Sequence, residues 1–487
     1  MISLTGSGEK WWGIISEVLA AGIRLPFEGK PHQFQIDDIN RHARRMSCGY
    51  FWDIGLGKTT AGAITGGYHL LNGAERCYVL CPASLVVQWK ETLDLMGFDA
   101  LLWQGSPKER LAFGFDHDMI VMSFEIFQKD YPRIKDHPGY FVVDEATILS
   151  NPNNLFYKMI NGGIVEKKRV VPGLAKPMID KIQYPNLNNG ACLLTATPSN
   201  NPADLYGLIK TVAPEIYTNE FTFKRLHVSE ENVFGVPSAF INMDMLKDNL
   251  RSVASIRFAQ DHLDMPEISY NVIEYDLHPA HLDLYNELLE KRLVVHDNKI
   301  VINALEATAF YNWAQKLVVN PDQAMFSQTP KVLEIMDTIV YNNPQTLIIN
   351  KYVMSNDKMM KRYAKIGIGG CYGGLTRAQQ IKAIKDFKEG RLRAFTVNPK
   401  SGGVGLNLQE CCHNVVCGEI PVTSRDFRQA LGRVYRQGQK FRVICTIPVA
   451  RKTIQRTLLQ NIMKKDEIMN QVLCSPKTLR EDLFPKK

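Results

Sequence analysis

The chain has 487 residues, 45% hydrophobic and 22% charged, and its 58 Lys and Arg against 50 Asp and Glu leave a formal charge of +8. This composition excludes disorder, collagen and a small disulfide scaffold, and at roughly 100–200 residues per domain it predicts more than one folded unit, each able to bury a core. Ten cysteines, thinly spread and mostly inside apolar runs, read as buried thiols. No apolar run approaches the ~18 residues of a membrane helix, so no membrane span is expected.

Residues 1–28 make a short N-terminal segment, with Lys10 ahead of its apolar stretch and Glu17 inside it. That is not the pattern of a secretory signal, and the protein is expected inside the cell. Over 29–250, β-type runs (Tyr78 to Cys81, Met119 to Met122, Phe141 to Val143, Cys192 to Thr195) alternate with helical stretches. Within this span 161–187, in a stretch rich in Asn, Gly, Pro and Lys, reads as a surface excursion. A linker and helical region follows over 251–345, where Leu282, Tyr285, Leu288 and Leu289 recur at helical spacing. The strand rhythm returns over 346–475 (Thr346 to Ile349, Ala394 to Val397, Asn414 to Cys417, Val443 to Ile447), before a tail at 476–487. The predicted fold class is α/β, two lobes with parallel sheets and a helical connection. Cys411, Cys412, His413 and Cys417 cluster tightly, but without a second ligand pair they do not read as a zinc site.

The segment FWDIGLGKTT sets Gly55, Gly57, Lys58, Thr59 and Thr60 between a strand and a helix. Glycines let backbone N–H groups turn onto phosphates, a lysine reaches the terminal phosphates, and a threonine hydroxyl suits magnesium. Trp52 stands where the GxxxxGKS/T pattern has its first glycine. In YFVVDEAT, Asp144 and Glu145 close an apolar run, so a strand presents both carboxylates at a sheet edge, where ligands bind. Asp144 is assigned to magnesium, mostly through water, and Glu145 to the attacking water.

With these spacings the chain resembles helicase superfamily two, and within it the Swi/Snf type of duplex-DNA translocase, over about residues 30–460. PHQ puts Gln33 where that family has its adenine-reading glutamine, and WDIGLGKT stands for its DExGLGKT loop. VLCPASLVVQW (Val79 to Trp89) and Ser123-Phe124-Glu125 resemble its DNA-tracking segments, and LTATPSNNPADLYGL its LTGTPxxN segment with the following helix. Thr147 replaces the histidine of the DEAH box. TLIIN, YGGLTRAQQIKAIKDF, SGGVGLNL and QALGRVYRQGQ mark a second lobe.

The resemblance implies two RecA-like lobes, ATP and Mg2+ as cofactors, and DNA, duplex or branched and not read by sequence, as partner. Gln33 and the Gly55 to Thr60 loop would hold ATP, with Thr59 and Asp144 on the metal. Gln429, Arg433 and Arg436 would join Lys58, Asp144 and Glu145 in catalysis. Three apart, the two arginines share a face on a helix and point across a cleft as fingers. Ser84, Ser123 and Thr197 from one lobe, and Asn350, Ser401 and Gly402 from the other, would grip DNA phosphates.

A compact chain without chromatin-reading modules resembles phage, viral and fork-remodelling members, so branched DNA is the expected substrate, in repair, recombination or replication. The site of action would be the cytoplasm or nucleoid of a bacterial or virus-infected cell. Two other readings stand beside it: a translocase that strips or remodels protein on duplex DNA, and a nucleotide-gated DNA-binding protein. Among the basic runs, Lys167 to Arg169 is preferred as a further phosphate contact. Trp103 and Trp313 read as core rather than base-stacking.

Overall fold

The computed structural model describes residues 12–28, 30–169, 178–232, 235–296, 299–399 and 406–484. It divides into two compact units, Met1–His262 with Gln471–Cys474, and Leu263–Asn470 with Ser475–Lys487.

The first unit is built on strands β1 (Cys48–Trp52), β2 (Cys77–Cys81), β3 (Ala100–Leu102), β4 (Met119–Ser123) and β5 (Tyr140–Asp144). It adds a hairpin of β6 (Gly162–Arg169) and β7 (Met178–Asn186), then β8 (Ala191–Leu194), a second hairpin of β9 (Val228–Glu231) and β10 (Pro237–Phe240), and β11 (Ala254–Arg257). Seven of these form one parallel sheet in the order β11-β1-β8-β5-β2-β4-β3. Every residue of β1, β2, β4, β5 and β8 is buried, which is why they read as unbroken apolar runs: helices cover both faces of a parallel sheet. The helix Lys58–Leu71 lies close on that sheet because Gly62 lacks a side chain. A Cβ there would stand 2.7 Å from Leu194 and 3.1 Å from Val142.

The second unit has β12 (Ile268–Tyr275), a hairpin of β13 (Leu293–His296) and β14 (Lys299–Asn303), then β15 (Thr346–Ile349), β16 (Ile368–Cys371), β17 (Ala394–Val397), β18 (Asn414–Cys417) and β19 (Val443–Ala450). Its parallel sheet runs β12-β19-β18-β15-β17-β16. Alternation along β15 feeds two cores: Leu347 and Ile349 join one, with Phe395, Val415 and Phe427, while Ile348 joins the other, with Tyr285, Leu317 and Met336.

The structure departs from the sequence reading in two regions. The first unit runs past residue 250, because β11 pairs with β1 from Gly49↔Ala254 to Trp52↔Arg257. The stretch expected as linker and helix also supplies β12, whose partner β19 is remote in sequence, and the β13–β14 hairpin beside helices Pro279–Lys291 and Ala307–Val319. The expected excursion is an antiparallel ribbon, registered from Gly163↔Tyr184 to Arg169↔Met178. Its Asn, Gly and Lys content masked it, since strand pairing rather than intrinsic propensity holds such a ribbon.

Candidate active site

The phosphate loop leaves β1 at Trp52 and enters the helix Lys58–Leu71 through Gly57, which caps the helix in the left-handed region (φ 82). Gly55 is left-handed as well (φ 89), so the loop needs glycine at both positions. Lys58 Nζ donates to the carbonyls of Trp52 (2.7 Å) and Asp53 (2.9 Å), which holds its ammonium over the loop. Thr59 and Thr60 sit half-buried on the first turn of that helix.

Trp52 is fully buried, and its Nε1 donates to Ser255 Oγ at 2.8 Å. Ser255 donates in turn to Asp38, whose carboxylate takes a bidentate bond from Arg257 (2.7 and 2.8 Å). Asp53 accepts the N–H of Ala259 at 3.0 Å. The loop is thus tied to β11 through the residue that displaces the pattern's first glycine.

Gln33 is exposed on the first turn of the helix Gln33–His42 and donates to Asp37 at 2.8 Å. Gln35 lies beneath the loop: it is buried, its Nε2 donates to the Leu56 carbonyl at 2.9 Å, and its Oε1 accepts the His32 N–H at 2.8 Å. A side chain on Gly57 would run into Gln35, its Cβ 2.5 Å from Nε2.

Asp144 ends β5, between β2 and β8. It is buried and accepts from Trp89 Nε1 and from the Glu145 N–H, both at 2.9 Å. Burial and the neighbouring Glu145 charge push its carboxyl up to about 6, while Lys58 is near enough to pull it down. Glu145 adopts a left-handed conformation (φ 51), costly for a residue with a Cβ, and opens the 3-10 turn Ala146–Leu149. The chain therefore turns sharply at the carboxylate instead of extending the strand.

Ser84, Ser123 and Thr197 lie at or just beyond the carboxyl ends of β2, β4 and β8, the edge that carries Asp144. The Ser123 hydroxyl caps the helix Phe124–Ile134 by accepting the Ile126 N–H at 3.3 Å. The Thr197 hydroxyl is buried without a hydrogen-bond partner among the described residues.

In the second unit Asn350 follows β15, fully buried, with Nδ2 donating to Thr396 Oγ1 at 3.3 Å and Oδ1 unpartnered among the described residues. Ser401 and Gly402 lie outside the described residues. Gln429 is half-buried on the helix Ser424–Leu431. Arg433 and Arg436 do not share a helix face, because that helix ends at Leu431 with Gly432 as its cap and both arginines lie in the turn beyond. Arg436 donates to Asn407 Oδ1, and burial together with the Arg433 charge lowers its pKa. The Arg433 carbonyl accepts the Leu408 N–H at 2.8 Å, so the turn is fastened to Asn407 and Leu408 by both residues. Buried Gln439 secures its far end, donating to the carbonyls of Cys412 (2.9 Å) and Val434 (3.2 Å).

Residues 330–438 match the family model of the helicase conserved C-terminal domain. The sequence is 22% identical to the uncharacterized ATP-dependent helicase YqhH of Bacillus subtilis, over 94% of this chain and 82% of that one. It is 23% identical to a RAD54-like DNA repair and recombination protein of Drosophila pseudoobscura pseudoobscura, over 96% and 67%. The chain is similar to SNF2-type helicases of superfamily two. The chain is also similar to a mouse chromodomain-helicase-DNA-binding protein 1-like (21% identical, 95% of this chain, 51% of that one). Among solved structures, the Sulfolobus solfataricus SWI2/SNF2 ATPase core in complex with dsDNA aligns over 89% of this chain and 91% of that one, at 17% identity and a TM-score of 0.41.

The residues that sequence reasoning missed are those that hold the loop: Gln35, Asp38, Ser255 and Arg257. One signal was available for Gln35, its position two residues beyond Gln33 at the start of an amphipathic helix. Asp38 and Arg257 are 219 residues apart, and nothing local links them.

Proposed function

We propose that this chain is a SNF2-type helicase that couples ATP hydrolysis to movement along DNA and works on branched substrates, by fork regression, branch migration or unwinding of junctions. The observation that carries the ATPase half is the convergence of Lys58, Asp144 and Glu145 at one carboxyl edge of the first sheet, with the Asp144 carboxyl responding to both other charges. Support for branched DNA comes from the RAD54-like relatives, named as DNA repair and recombination proteins.

In this reading Lys58 and the Gly55 to Thr60 N–H groups cradle the ATP phosphates, Gln33 reads the adenine, and Glu145 orients the attacking water. Asp144 and Thr59 fit magnesium: the buried carboxylate is fixed by two N–H donors, and such a metal completes its shell with waters and substrate phosphates. No group of three or more His, Cys, Asp and Glu suited to a metal occurs among the described residues, so an all-protein cage is not what holds it. Bound there, the metal would neutralise phosphate charge. Arg433 and Arg436, supported by Gln429, offset the charge that develops on the transferred phosphoryl. Ser84, Ser123, Thr197 and Asn350, with Ser401 and Gly402, contact the DNA backbone, which carries no base information. We place this activity inside the cell.

The test is ATP hydrolysis and strand displacement on matched single-stranded, linear duplex, forked and four-way-junction DNA. Greatest stimulation by forks and junctions, with their migration or unwinding, is expected. Equal stimulation by linear duplex with no strand separation would point instead to a translocase that remodels DNA-bound protein.

A further inference from the structure

The helix Ser424–Leu431 carries Gln429 and leads into the turn of Arg433 and Arg436, and at eight residues it depends on its neighbours for its place. Phe427, Ala430 and Leu431 fix one side of it in the core of the second unit. Arg428 reaches the long helix Ile454–Leu473, where its Nη2 donates to both oxygens of Asp466 at 3.3 Å. Asp466 is 9% exposed, and its Oδ2 also accepts the Leu479 N–H at 2.6 Å. One buried carboxylate therefore holds both the helix that leads to the arginines and the helix Leu479–Leu483 in the tail.

That tail helix is fastened at two more points. The Thr478 hydroxyl accepts the Glu481 N–H at 3.3 Å, and Glu481 Oε2 accepts the Thr478 N–H at 2.8 Å, a reciprocal cap. Leu479 and Leu483 are buried, and with Phe427, Leu459 and Ile462 they close around one small apolar gap, so the tail and Phe427 share a core. Burial raises the Asp482 carboxyl above its usual range, Arg428 and Lys477 pull it back, and Asp466 and Glu481 add to the rise. Arg428 thus lies among carboxylates of two elements, and without it Asp466 and Asp482 would repel across the tail contact.

A buried carboxylate that serves two donors couples their positions, because moving either one leaves it under-satisfied. We propose that Asp466 and Arg428 are positioning residues for the arginine turn, clamping its helix to the tail helix so that Gln429, Arg433 and Arg436 are held in place for phosphoryl transfer. This rests on the reading of the two arginines as fingers.

The test compares Arg428→Gln, Asp466→Asn, their double variant and Leu483→Ser, which loosens the tail without touching either charge. Turnover at saturating ATP and DNA should fall by about 10- to 100-fold, the cost of a small misplacement of a reacting group. Affinity for a fluorescent ATP analogue should stay at the wild-type value, because the phosphate loop belongs to the first unit. The losses of Arg428→Gln and Asp466→Asn should not add, and Arg428→Lys, which keeps the cation, should recover most of the turnover. Thermal melting checks folding, and Arg428, its side chain 34% exposed, keeps the test open where a buried variant fails to fold. Variants that melt like wild type and turn over at the wild-type rate would overturn the clamp alone. So would a loss of turnover matched by a loss of affinity for the ATP analogue. Wild-type turnover by Arg436→Ala, measured alongside, would overturn the finger reading and the clamp with it.

Discussion

On the proposed reading Lys58, Glu145, Arg436 and Gln35 act on different steps, so their variants should separate. Lys58→Ala should lose nucleotide binding, read with a fluorescent ATP analogue. Glu145→Gln should keep it and lose on the order of 10²–10⁴ in turnover, the usual worth of a positioned base; wild-type turnover would remove Glu145 from water activation. Arg436→Ala should bind ATP yet lose about 10³–10⁵ of DNA-stimulated hydrolysis. Gln35→Ala leaves the buried Leu56 carbonyl unsatisfied, a cost of about 1–3 kcal/mol, and should weaken nucleotide binding while sparing turnover at saturating ATP. Lys58, Asp144 and Glu145 stand out in the sequence as candidates because phosphate and carboxylate chemistry demands those residue types at fixed local spacing, and the structure brings them within reach of one another's charge. Gln35 was not, because a neutral amide under a loop has no such signature.

Glu419, buried just beyond β18, gives a pH signature at the same scale. Its folded carboxyl is raised from 4.5 to about 7, so its contribution to stability is present below about 4.5 and is lost as pH rises through about 7. Urea unfolding midpoints should therefore show Glu419→Gln gaining on wild type between pH 5 and pH 8. A constant difference across that range would mean that Glu419 is already ionised at pH 5.

Elements were legible where burial on both faces of a sheet made unbroken apolar runs, as in β2, β4, β5, β15 and β18. They were not where pairing alone makes the strand: β11 and β12 are edge strands of mixed character, and β6 and β7 hold each other. The β6–β7 ribbon is pinned at its base by Asn161, which donates to Thr211 Oγ1 (3.0 Å), and by Asn188, which donates to Asn161 (2.9 Å) and to the Thr211 carbonyl (2.8 Å). A shortened ribbon that spares Asn161 and Asn188, such as deletion of 164–183, should leave the unit folded. It should also lower the salt slope of DNA binding by about 0.9 for each basic residue of Lys167 to Arg169 that meets a phosphate. An unchanged slope would return the ribbon to a passive role. The helix Ser424–Leu431 teaches the converse, since sequence spacing put Arg433 and Arg436 on one face of a helix that Gly432 ends.

At the scale of the whole molecule, the sequence by itself determined the fold class, the order of the helicase-like segments and the candidate phosphate-binding residues. These follow from local periodicity and from residue types that only a few reactions require. Only the tertiary structure decided that the phosphate loop hangs on β11 through Trp52 and Ser255, that Gln35 clamps it, and that Arg428 and Leu479 meet at the Asp466 carboxylate. Those contacts join residues tens to hundreds of positions apart, and what brings them together is the burial of two parallel sheets, a sum over many weak apolar contacts that no short stretch of sequence contains.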